Sequence, residues 1–164
     1  MEPSDILAIV VRWLHILAAT IAVGGPIFAW GAFLPAAQTL PEGIRKDLLE
    51  AVRSRWAKYV HTAILLLLLS GFYNFFTAVA RYDLPRPTYH ILFGVKFLAA
   101  LGMFFLASML HGRSAAALAF RQNARRWAAV IIVLGLTVIG ISGVMRSLPH
   151  TPKPVVGGTV ERGT

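Results

Sequence analysis

The sequence predicts an all-α fold, an integral membrane four-helix bundle with both termini on the periplasmic or exterior side. Of the 164 residues, 57% are hydrophobic and 14% are charged, and the mean hydropathy is +0.66. A soluble domain carries about 25% charged residues, so this composition is typical of a membrane protein. Four apolar runs are each long enough for a transmembrane helix, which needs about 20 residues.

The four apolar runs give the predicted spans in order. The first contains "VVRWLHILAATIAVGGPIFAWGAF" and ends at Pro35, and the second contains "AILLLLLSGFYNFF". The third is "YHILFGVKFLAALGMFFLASMLH" and the fourth contains "WAAVIIVLGLTVIGISGVM". The spans cover 6–33, 57–79, 89–111 and 127–146, within one domain of residues 1–148. Residues 149–164, "PHTPKPVVGGTVERGT", are rich in Pro, Gly and Thr and are predicted to be disordered.

Basic residues are distributed unevenly among the predicted loops. Five lie in the first loop, four in the third and two in the middle one. They are Arg45, Lys46, Arg53, Arg55 and Lys58; Arg113, Arg121, Arg125 and Arg126; and Arg81 and Arg86. By the positive-inside rule, the first and third loops face the cytoplasm, as in a bacterial inner membrane protein. The net charge of +9 therefore belongs to loops, and nucleic-acid binding is not expected.

Four histidines fall in or at the edge of the predicted spans. His15 and His90 lie toward the outer face, and His61 and His111 lie at the inner ends of their helices. Lys96 joins the outer group, about one and a half turns deeper than His90. With no cysteine in the chain, histidine is the strongest metal ligand available. Ionisable groups within a membrane are rare, which makes these residues functional candidates.

Small residues accompany the two deepest polar groups. At about 100° per residue, the faces of His15 and Lys96 are rich in alanine. They carry Ala18, Ala19, Ala22, Pro26 and Ala29 beside His15, and Ala99, Ala100, Met103 and Ala107 beside Lys96. Such surfaces either allow close helix–helix contact or leave room for a flat prosthetic group, and the sequence leaves both interpretations open.

Each candidate also has a purely structural interpretation. His61, His90 and His111 would anchor their helix ends at headgroup depth, and Lys96 would extend its stem toward water. Arg12 and Arg146 would likewise be interfacial anchors. His15 lies deepest among the histidines, so a structural role explains it least well.

The chain resembles two families of small four-helix membrane proteins from about Trp13 to Met145. These are the CopD-like copper-resistance domain and the HemJ-type protoporphyrinogen oxidase family. The likeness lies in "LH" followed about ten residues later by "GG", and in "H.....KFLAALGMFFLASMLHG". It implies heme b for a HemJ-like protein and copper handling for a CopD-like one. His15 would correspond to the first-helix histidine and Lys96 to the third-helix lysine. The arginine-and-acid motif that ends HemJ-type chains is replaced here by "GVMRSLPHTPKP".

The expected site follows from these residues. His15 is the expected axial ligand of a heme b, with His90 as its partner. Lys96 would neutralise a propionate or donate a proton to a bound substrate, and Arg146 would clamp a propionate. His61 and His111 form a competing site for a heme, a metal or a quinone. Because His90 and His111 are about 31 Å apart along one helix, a single heme is favoured over two.

The favoured function is a heme-b protein for electron transfer or membrane-bound oxidoreductase chemistry, with quinone/quinol or a periplasmic redox partner. The first alternative is copper handling, which the absence of cysteine makes less favourable because Cu(I) prefers sulfur ligands. The second is a structural or assembly subunit without a cofactor, which would not explain the histidine and lysine inside the spans. The sequence leaves open whether the protein forms a homo-oligomer.

Overall fold

A computed structural model describes residues 3–85, 87–112 and 114–153 and is almost entirely helical. Four helices are long and apolar enough to cross a membrane, which confirms the predicted helical fold class. Arg86 and Arg113, used above to predict orientation, lie outside the described residues. The elements are α1 (Pro3–Phe28), a π turn (Ala29–Phe33), α2 (Leu34–Gln38), α3 (Glu42–Arg81), β1 (Tyr82–Asp83), α4 (Thr88–His111), α5 (Ala115–Gln122), α6 (Ala124–Ser147) and β2 (Thr151–Pro152).

The first span continues past the proline that was expected to end it. Pro35 lies in the first turn of α2, directly after the π turn. Proline has no N–H group, and its ring clashes with the carbonyl four residues earlier in a regular α-helix. The wider π turn, in which Leu34 N–H bonds to Ala29 C=O, precedes this position. The helical path therefore reaches Gln38.

Helix α3 begins 15 residues before the predicted second span, at Glu42 instead of residue 57. Its 40 residues extend about 60 Å, roughly twice the thickness of the hydrocarbon core. Ion pairs within the polar half include Lys46 with Glu42 at 2.6 Å, and Arg53 with Glu50. Much of the first predicted loop is thus a polar continuation of a membrane-spanning helix.

The four long helices form a closed ring of contacts. Helix α1 packs against α3 and α6, and α4 packs against the same two helices. Each long helix contributes to the main buried cluster, which consists of Ala18, Val23, Ala63, Leu67, Met103, Phe104, Leu106 and Ile131. Many large apolar side chains point outward instead; Leu98, for example, is 68% exposed. Such an exterior suits contact with lipid.

The first and last described segments of the chain lie at one end of the molecule, here called the termini end. Arg81, at the end of α3, is 3.3 Å from Asp5 of α1. Strands β1 and β2 pair antiparallel there, with Tyr82 opposite Pro152. The opposite end is called the loop end. Strand β2 lies within the segment predicted to be disordered, and residues 154–164 of that segment lie outside the described residues.

Candidate functional site

An apolar cavity of about 520 Å³ lies among the four long helices. Its wall is formed mainly by aliphatic and aromatic side chains and by glycines. The polar groups that reach it are His15 and Thr20 of α1, Lys96 of α4 and Ser142 of α6. Cavities that bind small molecules typically measure about 300–1,000 Å³ and combine an apolar wall with a few polar groups. This cavity has both properties.

His15 is held by a hydrogen bond from a different helix. Its Nδ1 lies 2.7 Å from Ser70 Oγ on α3. The Ser70 hydroxyl donates its one hydrogen to the Leu66 carbonyl, so Oγ accepts from the imidazole. His15 therefore carries its proton on Nδ1, which leaves the Nε2 lone pair available. Ser70 is only 6% exposed. Histidines that hold a metal or cofactor are typically oriented by a hydrogen bond of this kind at the other ring nitrogen.

Lys96 is half-buried and lines the same cavity as His15. Within the part of the chain that the structure describes, no hydrogen bond or ion pair engages its ammonium group. An ammonium group removed from water without a partner is costly. The arrangement therefore favours an anionic ligand group beside Lys96.

A second, polar cavity of about 610 Å³ adjoins the first toward the termini end. The two share His15, Gly71, Phe93, Lys96 and Ser142. The polar cavity is also lined by three arginines and by a histidine from the segment before β2; these are Arg12, Arg81, Arg146 and His150. No aspartate or glutamate is found among its described lining residues. Together, the cavities would suit a molecule with a flat apolar body and anionic substituents at one end.

Some small residues of α1 allow close contact with another helix, and others leave empty space beside the helix. Ala18 is fully buried in the main cluster, and a Cβ added at Gly25 would lie 2.7 Å from Trp56 Cζ2. These positions allow α1 to approach α3 closely. Gly24 lines the apolar cavity, as Ala19 does, and a Cβ added at Gly24 would meet nothing within 4 Å. One side of α1 therefore packs, and the neighbouring side leaves room.

The structure does not bring His90 to His15. His90 is exposed and contacts the rings of Phe75 and Tyr89, with centroids 5.7 and 6.4 Å away. It lines neither of the two cavities. The reason is helical phase, because six residues place His90 about 120° around α4 from Lys96. The expected pairing of these two histidines as ligands is therefore not supported by the geometry.

His61 and His111 are engaged with their own helices. His61 Nδ1 lies 2.6 Å from Ala57 O, and His111 Nδ1 lies 2.8 Å from Ala107 O. The interior cavity beside His111 measures only about 80 Å³ and is not lined by His61. This is below the roughly 300 Å³ of a typical ligand pocket. Among the described residues, the cavity at His111 is therefore smaller than a typical heme or quinone site.

Sequence reasoning did not identify three residues of the site. Ser70 could have been noticed as the one polar residue in the run "LLLLLSGF". Its proximity to His15, however, follows only from the packing of α3 on α1. Arg81 lines the polar cavity from the end of α3, beside the start of α1, and the β1–β2 pairing brings the segment that carries His150 over the same end. Arg146 lies in the last turn of α6 and lines the polar cavity.

The described residues contain no group of three or more His, Asp or Glu side chains that could hold a metal ion. A prosthetic group that brings its own equatorial ligands needs only one or two side chains, so a single oriented imidazole fits such a group better than a bare ion.

Comparisons with protein family models, curated proteins and solved structures found nothing that matches this chain.

Proposed function

We propose that this protein is an integral membrane four-helix bundle that binds one heme b in the two adjoining cavities and functions in electron transfer or oxidoreductase chemistry. The observation that carries the proposal is the single oriented imidazole of His15 on an apolar cavity that leads into a cationic one. When bound, heme would supply reversible one-electron chemistry at a potential set by its ligand and surroundings.

The residues present fit such a group. His15 would hold the heme iron through Nε2, because Ser70 fixes the proton on Nδ1. The apolar wall would exclude water from the macrocycle. Arg12 and Arg146 would pair with propionates, since guanidinium groups bind carboxylates in a bidentate manner. The resemblance to HemJ-type proteins, in which His15 and Lys96 take matching positions, points in the same direction.

Lys96 would act at the boundary between the two cavities, which both include it. In its charged form it would neutralise a propionate or a substrate carboxylate. In its role as a proton donor, it would pass a proton to a substrate bound beside it. Either role accounts for an ammonium group without a partner among the described residues, and proton donation would make Lys96 the catalytic residue of the site.

The proposed orientation puts both termini and the mouth of the polar cavity on the periplasmic side of a bacterial inner membrane. The concentration of basic residues at the loop end supports this orientation. A periplasmic redox partner or membrane quinol would then reach the cavity from the termini end. A reporter that is active only in the periplasm, fused to the C-terminus, should give a signal; a signal from a cytoplasmic reporter alone would reverse the orientation.

Copper binding is the second candidate, because the thioether of Met103 lines the same cavity as His15. A thioether and an imidazole are suitable ligands for Cu(I). The two described side chains form a smaller ligand set than most copper sites use, so heme remains the preferred proposal.

Visible spectroscopy with elemental analysis tests the proposal. Protein purified from heme-replete cells should show a Soret band that shifts on reduction with dithionite, and about one iron per chain. His15→Ala should lose this spectrum, whereas His90→Ala, a matched removal of an exposed imidazole, should retain it. Colourless protein containing copper would favour the second candidate. Colourless protein without metal would overturn both and favour a subunit with no cofactor.

A further inference from the structure

We infer that a groove at the loop end binds the phosphate group of an anionic membrane lipid. The groove has a volume of about 600 Å³ and lies between α2, the start of α3 and the junction of α5 with α6. Four arginines from three helices line it, and we call it the arginine groove. They are Arg45 of α3, Arg121 of α5, and Arg125 and Arg126 of α6.

The charge of the arginine groove is largely unneutralised. No aspartate or glutamate is among its described lining residues. Arg121 lies 3.6 Å from Glu50, a carboxylate that Arg53 also binds. Arg125 and Arg126 have no ion pair with any described residue, and Arg45 acts on the Glu42 carboxylate only at longer range, because Glu42 is paired with Lys46. Like charges gathered in one groove repel one another, and a bound anion relieves this repulsion. Guanidinium groups on several sides are suited to the oxygens of a phosphate.

The surroundings favour a lipid over free phosphate as the source of that anion. Trp30 of the π turn forms part of the groove wall, with the Arg125 guanidinium carbon 5.5 Å from its ring centroid. Phe28, two residues earlier, is 64% exposed and belongs to the outward apolar surface. Tryptophan is enriched where membrane helices reach the headgroups. A lipid could therefore place its phosphate in the groove and its acyl chains against the adjacent apolar surface.

The loop end, where the arginine groove lies, is the end proposed to face the cytoplasm, where the membrane surface is negatively charged. Basic pockets between helices on the cytoplasmic side bind anionic headgroups, and each basic residue near the membrane surface strengthens that binding. This inference rests on the membrane placement in the proposed function but not on its cofactor. Arg55 and Lys58 are exposed basic residues on α3 that do not line the groove, so they provide a matched control for removal of two charges.

Lipid binding to the full chain in a neutral detergent tests the inference. We expect phosphatidylglycerol to bind and raise the melting temperature, with phosphatidylcholine and inorganic phosphate giving little effect. The double variant Arg125→Gln with Arg126→Gln should weaken phosphatidylglycerol binding about tenfold or more. Arg55→Gln with Lys58→Gln should change it less than about twofold. The proposed heme spectrum should be the same in the unmodified protein and in both double variants, with and without lipid.

Three results would overturn the inference. They are equal weakening by the two double variants, equally tight binding of phosphatidylcholine, and binding of inorganic phosphate as tight as that of the lipid. If Arg125→Gln with Arg126→Gln loses helical circular dichroism, the single variant Arg45→Gln provides the same test from a different helix. If the unmodified protein shows no heme spectrum, the proposed function is contradicted, but the lipid test is unaffected.

Discussion

At the termini end, the His15 imidazole donates a hydrogen bond to Ser70 on a neighbouring helix and lines a cavity of about 520 Å³. Toward the loop end, His61 and His111 each bond to a carbonyl four residues earlier on the same helix, and the interior cavity there measures about 80 Å³. Histidines that look alike in sequence thus differ in whether another helix orients them and whether space is left beside them. The comparison identifies His15 as the one with both properties among the described residues.

The largest expected effect would test this comparison directly. His15→Ala should abolish cofactor binding, because it removes the oriented nitrogen from the cavity. His61→Ala combined with His111→Ala should leave the cofactor content unchanged. Heme content per chain, measured as the pyridine hemochrome, would distinguish them. An unchanged spectrum in His15→Ala together with a lost spectrum in the double variant would move the site to the loop end.

Ser70→Ala should have the next largest effect. It removes the acceptor that fixes the His15 tautomer, and loss of such an orienting partner typically weakens binding by about 10–100-fold. Heme titration into the cofactor-free protein would measure this change. Ser142→Ala is the matched control, because Ser142 also lines the cavity but donates to the Val138 carbonyl of its own helix. Equal weakening in both variants would mean that Ser70 does not act through His15.

How much of this arrangement is predictable from sequence depends on the interaction involved. Hydropathy is a property of each segment alone, so four helices long and apolar enough to cross a membrane were predicted correctly, although α3 begins well before the predicted second span. The His15–Ser70 bond depends on how α1 and α3 rotate against each other, which no single segment encodes. His90 was expected to pair with His15 because both lie toward the outer face on different helices. Depth does not fix direction, and His90 lies about 120° around α4 from Lys96, so the two side chains point to different neighbours.

The early start of α3 illustrates a different limit. Membrane hydropathy marks where a helix enters lipid, and it does not mark where the helix begins. The charged segment before residue 57 is helical because it can form ion pairs one turn apart, such as Lys46 with Glu42. Its arginines and those of α5 and α6 were counted as loop charges. Their gathering into a groove became evident only from the packing of these helices.

The adjacent glycines of the "GG" motif provide a smaller test that concerns stability. Gly25→Ala should lower the free energy of unfolding by about 1–3 kcal/mol, because its Cβ would lie 2.7 Å from Trp56 Cζ2. Gly24→Ala should be neutral or stabilising by up to about 1 kcal/mol, since alanine favours the helix and the added methyl meets nothing within 4 Å. Thermal unfolding in detergent would compare them. Equal melting temperatures would contradict the assignment of one glycine to packing and the other to the cavity.

The smallest expected effect concerns two lysines at the termini end. The Lys153 ammonium donates to Val79 O at 2.7 Å, whereas Lys96 has no partner among the described residues. Lys153→Met should lower stability by about 1 kcal/mol, the worth of a typical hydrogen bond. Lys96→Met should instead raise the melting temperature of the cofactor-free protein by a few degrees, because it replaces a half-buried, uncompensated charge with an apolar chain of similar length. The same substitution should spare the heme spectrum but reduce turnover with a quinol, since the residue serves the ligand and not the fold. A destabilised, cofactor-free Lys96→Met protein would show that Lys96 has a structural partner, and the catalytic role proposed for it would then be wrong.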